Sequence, residues 1–572
     1  MSLFFNNRSV LFVVFFIGVL GYSQTKKEEN DTLSTEKVVI VKTFNPTIND
    51  AFKIHPEPNF DEKEASIKEP LKFQINSVPV ASTFVPEKTK SIAVKKEAPE
   101  ASFKNYALLG AGNFGNVLAE VFSSIDINKE SQFTALLEHQ SSQGGIKKVR
   151  LDDFFYDTGV QLSFGKQQKR KQWTIDLEAQ HQLYNWYGLS SNLEIPEEQF
   201  NAIDPSHSFI DVNLGGNLQL DHEVFNTANV RFRHFRDDYE STENNLKLNP
   251  KFTAPLDDYP ISIPIIFDYL SGEFADNNVF QGSKYSFLIL GVQPTIALNF
   301  KGVDVKIGVS GFLSNDFENS ELKLTIHPNL TANYNFNAYN LSVFGGATGG
   351  LKQNTYHEAI EKNPFVAPGI GITPTNQVFN AFGGVQGQWQ EKFSYMLKGE
   401  AEFVKDYASF IKNPILNSAT ENLNYGFNNS FGYFYQDYVA AKITAEVGYE
   451  EQGLFNVLLQ TTFARYNETP RQPLNIPAFT TSARGNYIVN SAWSIGANIF
   501  YVGVREDRDR LNSDLYTELD GYFDLNLRAD YKITDQWSAF ALGNNLTGQN
   551  YERWLDYPVQ GIQLLVGAKY KF

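Results

Sequence analysis

The stretch Tyr522–Ile533, "YFDLNLRADYKI", alternates without a break. Phe523, Leu525, Leu527, Ala529, Tyr531 and Ile533 share one face; Asp524, Asn526, Arg528, Asp530 and Lys532 share the other. Successive side chains of a strand point to opposite sides, so this is a strand with one apolar and one polar face. The pattern recurs in 172–183, "QWTIDLEAQHQL", in 393–403, "FSYMLKGEAEF", and in 441–450, "AKITAEVGYE". Two architectures use such strands. In a soluble sandwich the apolar faces meet each other; in a membrane barrel they face lipid while the polar faces line a lumen.

Three features favour the barrel. The alternating runs reach about ten residues, the length of a tilted membrane strand. Aromatic residues stand near the run ends, where interfacial girdles belong, and 48 Phe and 28 Tyr supply them. The linkers alternate short and long. The short ones include 128–130, 165–171, 221–225, 301–302, 390–392, 450–453 and 534–535; the long ones include 141–154, 185–206, 351–376, 407–430, 504–518 and 547–559. Short inner turns and long outer loops give that alternation. The expected fold is all-β: a transmembrane antiparallel β-barrel of about 22 strands over 103–572.

Charges on the lipid face at the bilayer midplane cost about 2–4 kcal/mol for Arg or Lys. Lys398, Glu400, Glu402, Lys442, Glu446, Asp524, Arg528 and Asp530 are therefore expected to point inward.

The chain begins "MSLFFNNRSVLFVVFFIGVLGYSQ". Arg8 precedes an apolar run from Val10 to Leu20, then small and polar residues. This reads as a secretory signal over 1–24, too short to span as a helix. Residues 25–102 are rich in Lys, Glu and Pro and read as an extended, poorly structured periplasmic segment, a plug remnant or a tether. The formal net charge of -16 argues against a nucleic-acid partner. The absence of cysteine excludes thiolate metal sites, thiol nucleophiles, disulfides and a lipobox.

No stretch assembles a catalytic or cofactor constellation, and a non-enzyme without cofactor or metal is expected. "GAGNFG", 110–115, has dinucleotide-turn spacing, but no parallel βαβ unit follows it. It reads as the tip of the first hairpin: Tyr106–Gly112 up, 113–116 turning, Val117 onward back. "YHEAIEK", 356–362, lacks the second His of a zinc motif and reads as a solvated loop. "GVSGF", 308–312, is not a nucleophile elbow and reads as strand. "REDRDRLNSD", 505–514, reads as surface ion pairs rather than a calcium loop. "GKQQKRKQW", 165–173, reads as one solvated basic turn.

The C-terminus carries a resemblance. The last strand, "GIQLLVGAKYKF", sets Val566, Ala568, Tyr570 and terminal Phe572 on one face, and resembles the assembly signal of outer-membrane barrels. With "NNLTGQNYERW", 544–554, before it, the end of the chain resembles that of TonB-dependent receptors. The "GYSQT" signal end resembles exported proteins of Bacteroidota. The resemblance covers about 30 residues closely and the rest in pattern only. It implies an outer-membrane location, contact with outer-membrane lipid and with the barrel assembly machinery during insertion, and solute transport. It departs at the N-terminus, where 25–102 is too short for a full plug of that family. "EKVVIVKTF", with Val38, Val39, Ile40 and Val41, resembles a TonB box and implies contact with TonB or another periplasmic protein by strand addition. A barrel subunit of a multiprotein assembly or secretion machine is the alternative that the short N-terminal segment leaves open.

Overall fold

The computed structural model describes residues 104–572 except 192, 257–258, 276–282, 418–422, 468–472 and 509–515. The expected signal segment, the 25–102 segment and Val38–Val41 lie outside the described residues.

One antiparallel sheet of 23 segments curls until its first strand, Tyr106–Gly112, pairs with its last, Gln563–Lys571. Lys284–Val292 and Thr295–Phe300 are two halves of one strand, interrupted at Gln293 and Pro294, so the closed ring has 22 strands. The interruption follows from Pro294, which has no N–H to give a ladder. The expected parity holds, including across 237–300.

At the lower end the strands join through tight turns. Lys301 and Gly302 both have positive φ, 53° and 86°, as a two-residue hairpin turn requires. At the upper end most connections are long. The exceptions are 238–241, 317–320 and the first hairpin, 113–116, which explains the glycines of "GAGNFG". A Cβ on Gly112 would sit 2.3 Å from the Leu564 carbonyl oxygen across the closing seam. Gly115 takes φ +63° in the turn. Asn113 latches this turn to the last strand: its side-chain amide donates to Ile562 O at 2.8 Å and its carbonyl accepts from Leu564 N at 2.8 Å.

The outer face is apolar. Phe523, Leu527, Leu564 and Val566 are exposed on it. An aromatic girdle marks its lower boundary: Phe164 on Trp173, Tyr334 on Phe336, Phe393 between Trp389 and Tyr449, Trp493 on Tyr531, Trp537 on Tyr570. Tyr501 sits between Phe479 and Phe523 at the upper boundary. At roughly 3.3 Å per residue and a 40° tilt the two girdles stand about 20 Å apart, near the height of a membrane barrel's apolar band. Val566, Ala568 and Tyr570 lie on this outer face of the closing strand, opposite Lys569 and Lys571.

The strand borders differ from the sequence reading in two places. The basic stretch 165–173 is not one turn: Phe155–Gln168 runs through Gly165, and only Lys169 and Arg170 turn before Lys171. Phe393–Lys412 and Phe431–Glu451 extend far above the upper girdle, into what the sequence gives as loop 407–430.

Candidate functional site

The inward face is polar, as the alternation requires. Lys398 Nζ meets Glu400 Oε1 at 3.0 Å, and Lys442 Nζ meets Glu402 Oε1 at 2.5 Å. Arg528 forks onto Asp530 through two hydrogen bonds of 2.7 Å and lies 5.1 Å from the Phe540 ring centre. Further round, Lys247 faces Asp268 at 3.7 Å and Arg233 faces Asp211 at 3.4 Å. These pairs are adjacent or next-but-one along the ladder. A carboxylate and a cation on neighbouring strands can neutralise each other while both still line the lumen.

Above this wall the long loops fold inward on one another. Three of them follow the fifth, thirteenth and twenty-first strands, about a third of the ring apart. They meet at Tyr187, Phe365 and Tyr557. The rings of Phe365 and Tyr557 stack at 3.7 Å, and Tyr187 lies 4.9 Å from Tyr557 and 5.6 Å from Phe365. Tyr187 Oη donates to Pro558 O at 3.0 Å. Tyr557 Oη donates to Asn429 O at 2.5 Å, bringing in the loop after Phe393–Lys412. Asn429 in turn donates to Trp186 O at 3.2 Å. Trp186, Tyr356, Tyr425 and Tyr557 are fully buried, and one continuous apolar cluster joins them to the wall residues Phe155, Phe209, Phe235, Phe287 and Phe410. A cluster touching strands on such distant parts of the ring must cross its mouth. The loops form a cap.

Its densest element is a short helix, Tyr356–Lys362. Thr355 accepts a hydrogen bond from Glu358 N at 3.0 Å, the start of a capping box. The next free amides, of Tyr356 and His357, point at the wall carboxylate Glu243, 2.6 and 3.1 Å away. Glu243 also accepts from Tyr285 Oη at 2.8 Å. Tyr356 Oη donates to Asp237 at 2.8 Å, and His357 Nε2 stands 3.6 Å from Asp211. Glu358 pairs with Lys352 and Lys362. Burial would raise its pKa, but the two ammonium groups hold it well below the usual glutamate range.

This corrects the reading of "YHEAIEK" as solvated: Tyr356, His357, Ala359, Ile360 and Glu361 are all buried. The sequence held a signal for it, since Thr355 followed by Glu358 is a helix start. "REDRDR" is corrected in part. Arg505–Arg508 pairs with Tyr516–Leu519 as a hairpin inside the cap, and Arg505 and Asp507 are buried, not surface. Arg505 Nη2 donates to Glu552 O at 2.7 Å. Burial pushes the Asp507 carboxyl up to about 6, opposed by the Asn475 side chain and the amides of Arg508 and Lys412. "GVSGF" lies in strand, as expected. Among the described residues no group of three or more His, Asp and Glu is arranged to hold a metal ion.

No protein-family model and no curated protein matches the sequence. Solved structures do match in fold. The chain is similar to the FrpB iron transporter from Neisseria meningitidis, with TM-score 0.62, 10% identity, 82% of this chain and 82% of that one. It is similar to the siderophore receptor PirA from Acinetobacter baumannii, with TM-score 0.61, 11% identity, and coverage of 84% and 81%. It is also similar to the ferripyoverdine receptor of the outer membrane of Pseudomonas aeruginosa, with TM-score 0.60, 14% identity, and coverage of 83% and 73%. At such identities the likeness is one of fold. With an apolar belt between aromatic girdles around a closed ring of 22 strands, the chain is an outer-membrane β-barrel of the architecture these receptors share.

Proposed function

We propose that the protein is a transport barrel of the TonB-dependent-receptor kind, with the lumen as solute path and the loop cap as its outer gate. The observation that carries this is the capped polar lumen: a wall of paired charges, as an aqueous path needs, beneath a mouth closed only by loops. The fold neighbours transport iron or receive siderophores, so ferric chelates are the first solutes to test. In this reading 25–102 is a reduced gate on the periplasmic side, Val38–Val41 offer an extended strand to TonB, and Val566, Ala568, Tyr570 and Phe572 are read by the assembly machinery. The test is conductance in a planar bilayer for the full chain, for deletion of 25–102 and for Tyr557→Ala, which loosens the cap. Transport predicts a closed full-length barrel that conducts in the double variant. If the double variant stays silent, the transport reading fails.

A second reading is a non-transporting subunit of an outer-membrane assembly or secretion machine, with 25–102 as its tether. The continuity of the cap core favours it, because a mouth closed by fully buried Trp186, Tyr356 and Tyr557 resembles a folded core more than a mobile gate. Native mass and composition after mild extraction separate the two. A lone barrel supports transport; stoichiometric companions support the machine.

A further inference from the structure

The wall has a fork. Glu321–Phe336 pairs with Val303–Asp316 from Glu321 to Tyr334. Its other neighbour, Leu341–Lys352, pairs with it only from Phe336 to Asn329. At the bulge between Thr348 and Gly350 that neighbour leaves, keeps its pairing with Asn376 and Gln377, and runs inward to the buried helix. Gly349 sits at the branch point, where a Cβ would lie 2.8 and 2.9 Å from the carbonyl oxygens of Gln377 and Val378 and 3.1 Å from the His327 Cβ. Buried His327 fills the fork, with Nδ1 3.3 Å from Val378 O.

Above the fork one edge of Glu321–Phe336 is open. Alternate residues of an antiparallel strand send their N–H and C=O to opposite sides. Val309 N donates to Pro294 O, away from its partner Pro328. By alternation the pairs Gly311 with Ile326, Leu313 with Leu324, and Asn315 with Leu322 also point apart. The amides and carbonyls of Leu322, Leu324 and Ile326 therefore face the open edge, and among the described residues no ladder meets them. Pro328, without an N–H, closes the edge below. The side chains of Leu322, Leu324 and Ile326 lie on the outer face, 63, 70 and 69% exposed. Counting up from Tyr334 by the distance that separates the girdles elsewhere reaches Ile326. Leu324 and Leu322 thus stand above the apolar belt, where lipid tails do not cover them.

An open edge beside an exposed aliphatic stripe is a template for an added strand: the backbone supplies affinity and alternate side chains supply selection. A second copy of this chain does not fit. Two copies with one orientation in the membrane relate by rotation about its normal, and strands tilted about 40° then cross at roughly 80° instead of lying antiparallel. We propose that Leu322–Ile326 receives an extended strand from a different envelope protein at the outer rim of the barrel, with apolar residues at alternate positions facing outward. This holds whether or not the lumen conducts.

The test places a photo-crosslinking residue, p-benzoylphenylalanine, at 322 or 326 in living cells, with 330 as the control below the fork. The edge positions are expected to give one discrete adduct, mapping by mass spectrometry to an extended segment of another chain, while 330 gives none. Leu324→Pro removes an N–H that faces only the open edge, and is expected to cut the adduct at least tenfold while the barrel keeps its heat-modifiable mobility. If that variant does not assemble, Leu324→Glu, which charges the outer face above the belt, is read in its place. Adducts to lipid alone, to a second copy, or to a protein whose yield neither variant changes overturn the proposal.

Discussion

The lumen wall and the loop cap are built from the same chain by opposite rules. On the wall, charged residues meet along one strand or across neighbouring strands, and some remain in reach of water, as Arg528 and Asp530 do within a single strand. In the cap, aromatic rings are fully buried and polar groups between them are held by fixed partners, as the Tyr356 amide and hydroxyl are by Glu243 and Asp237 of the wall. Wall pairs that water reaches are worth little each. Cap contacts are desolvated, so each loss leaves either a cavity or a stranded donor. The barrel is held by its ladders, the cap by its side chains.

That contrast is open to attack by mutation. The largest effect is expected from Tyr557→Ala. It removes the ring where three loops meet, costs the cap about 3–5 kcal/mol, and shows as fast hydrogen exchange in 186–189, 363–367 and 429–431 with the strands unchanged. Uniform loss across the strands would mean that cap and barrel are one cooperative unit. Glu243→Ala strands two amides and a phenol, about 3 kcal/mol. Exchange at Tyr356 and His357 is expected to rise on the order of a hundredfold, while heat-modifiable mobility stays the same.

Two cap carboxylates should respond to pH with opposite sign. Asp507 has its pKa raised to about 6, so the stability it contributes is full below the ordinary aspartate value and is lost as pH rises through about 6. Proteolysis near 505–508 is expected to be slower at pH 5 than at pH 8, and Asp507→Asn to abolish the difference. Glu358 has its pKa depressed, so its contribution is present above the ordinary glutamate value and lost as pH falls below it. Glu358→Gln is expected to weaken the helix at pH 7 and to matter less in acid. The smallest effect belongs to the wall. Arg528→Met is expected to change barrel stability by about 1 kcal/mol or less and cap exchange not at all, with any change appearing in ion selectivity.

Legibility in the sequence follows the same division. The wall was readable because alternation is local: Phe523 through Ile533 declare their faces without reference to any other strand. Turn parity then carried the count to 22, and the inward direction of Lys398, Glu402 and Arg528 followed from the cost of charge in lipid. The cap was not readable. Its partners lie far apart in the chain, as Tyr187 and Pro558 do, and no local period announces them. The buried helix was the near miss, since Thr355 and Glu358 mark its start but nothing nearby says that His357 and Glu361 enter a core. Asp507 was misread for a related reason: interleaved charges look solvated until Lys412, Asn475 and the 545–562 loop close over them. The fork at Gly349 left no trace beyond a glycine among many.

The closing seam sets a timetable. Tyr106–Gly112 and its turn residue Asn113 wait for the Gln563–Lys571 strand; Leu564, which Asn113 holds, lies 451 residues further along the chain. Until that strand arrives the first strand has one neighbour and an unmet edge, and every earlier strand belongs to an open ribbon. Long separations slow such pairings. The export route must therefore keep a long ribbon of half-apolar strands from meeting other chains until the closing strand is delivered. The Asn113 latch, with one acceptor and one donor for a single partner segment, can form only once that segment has arrived.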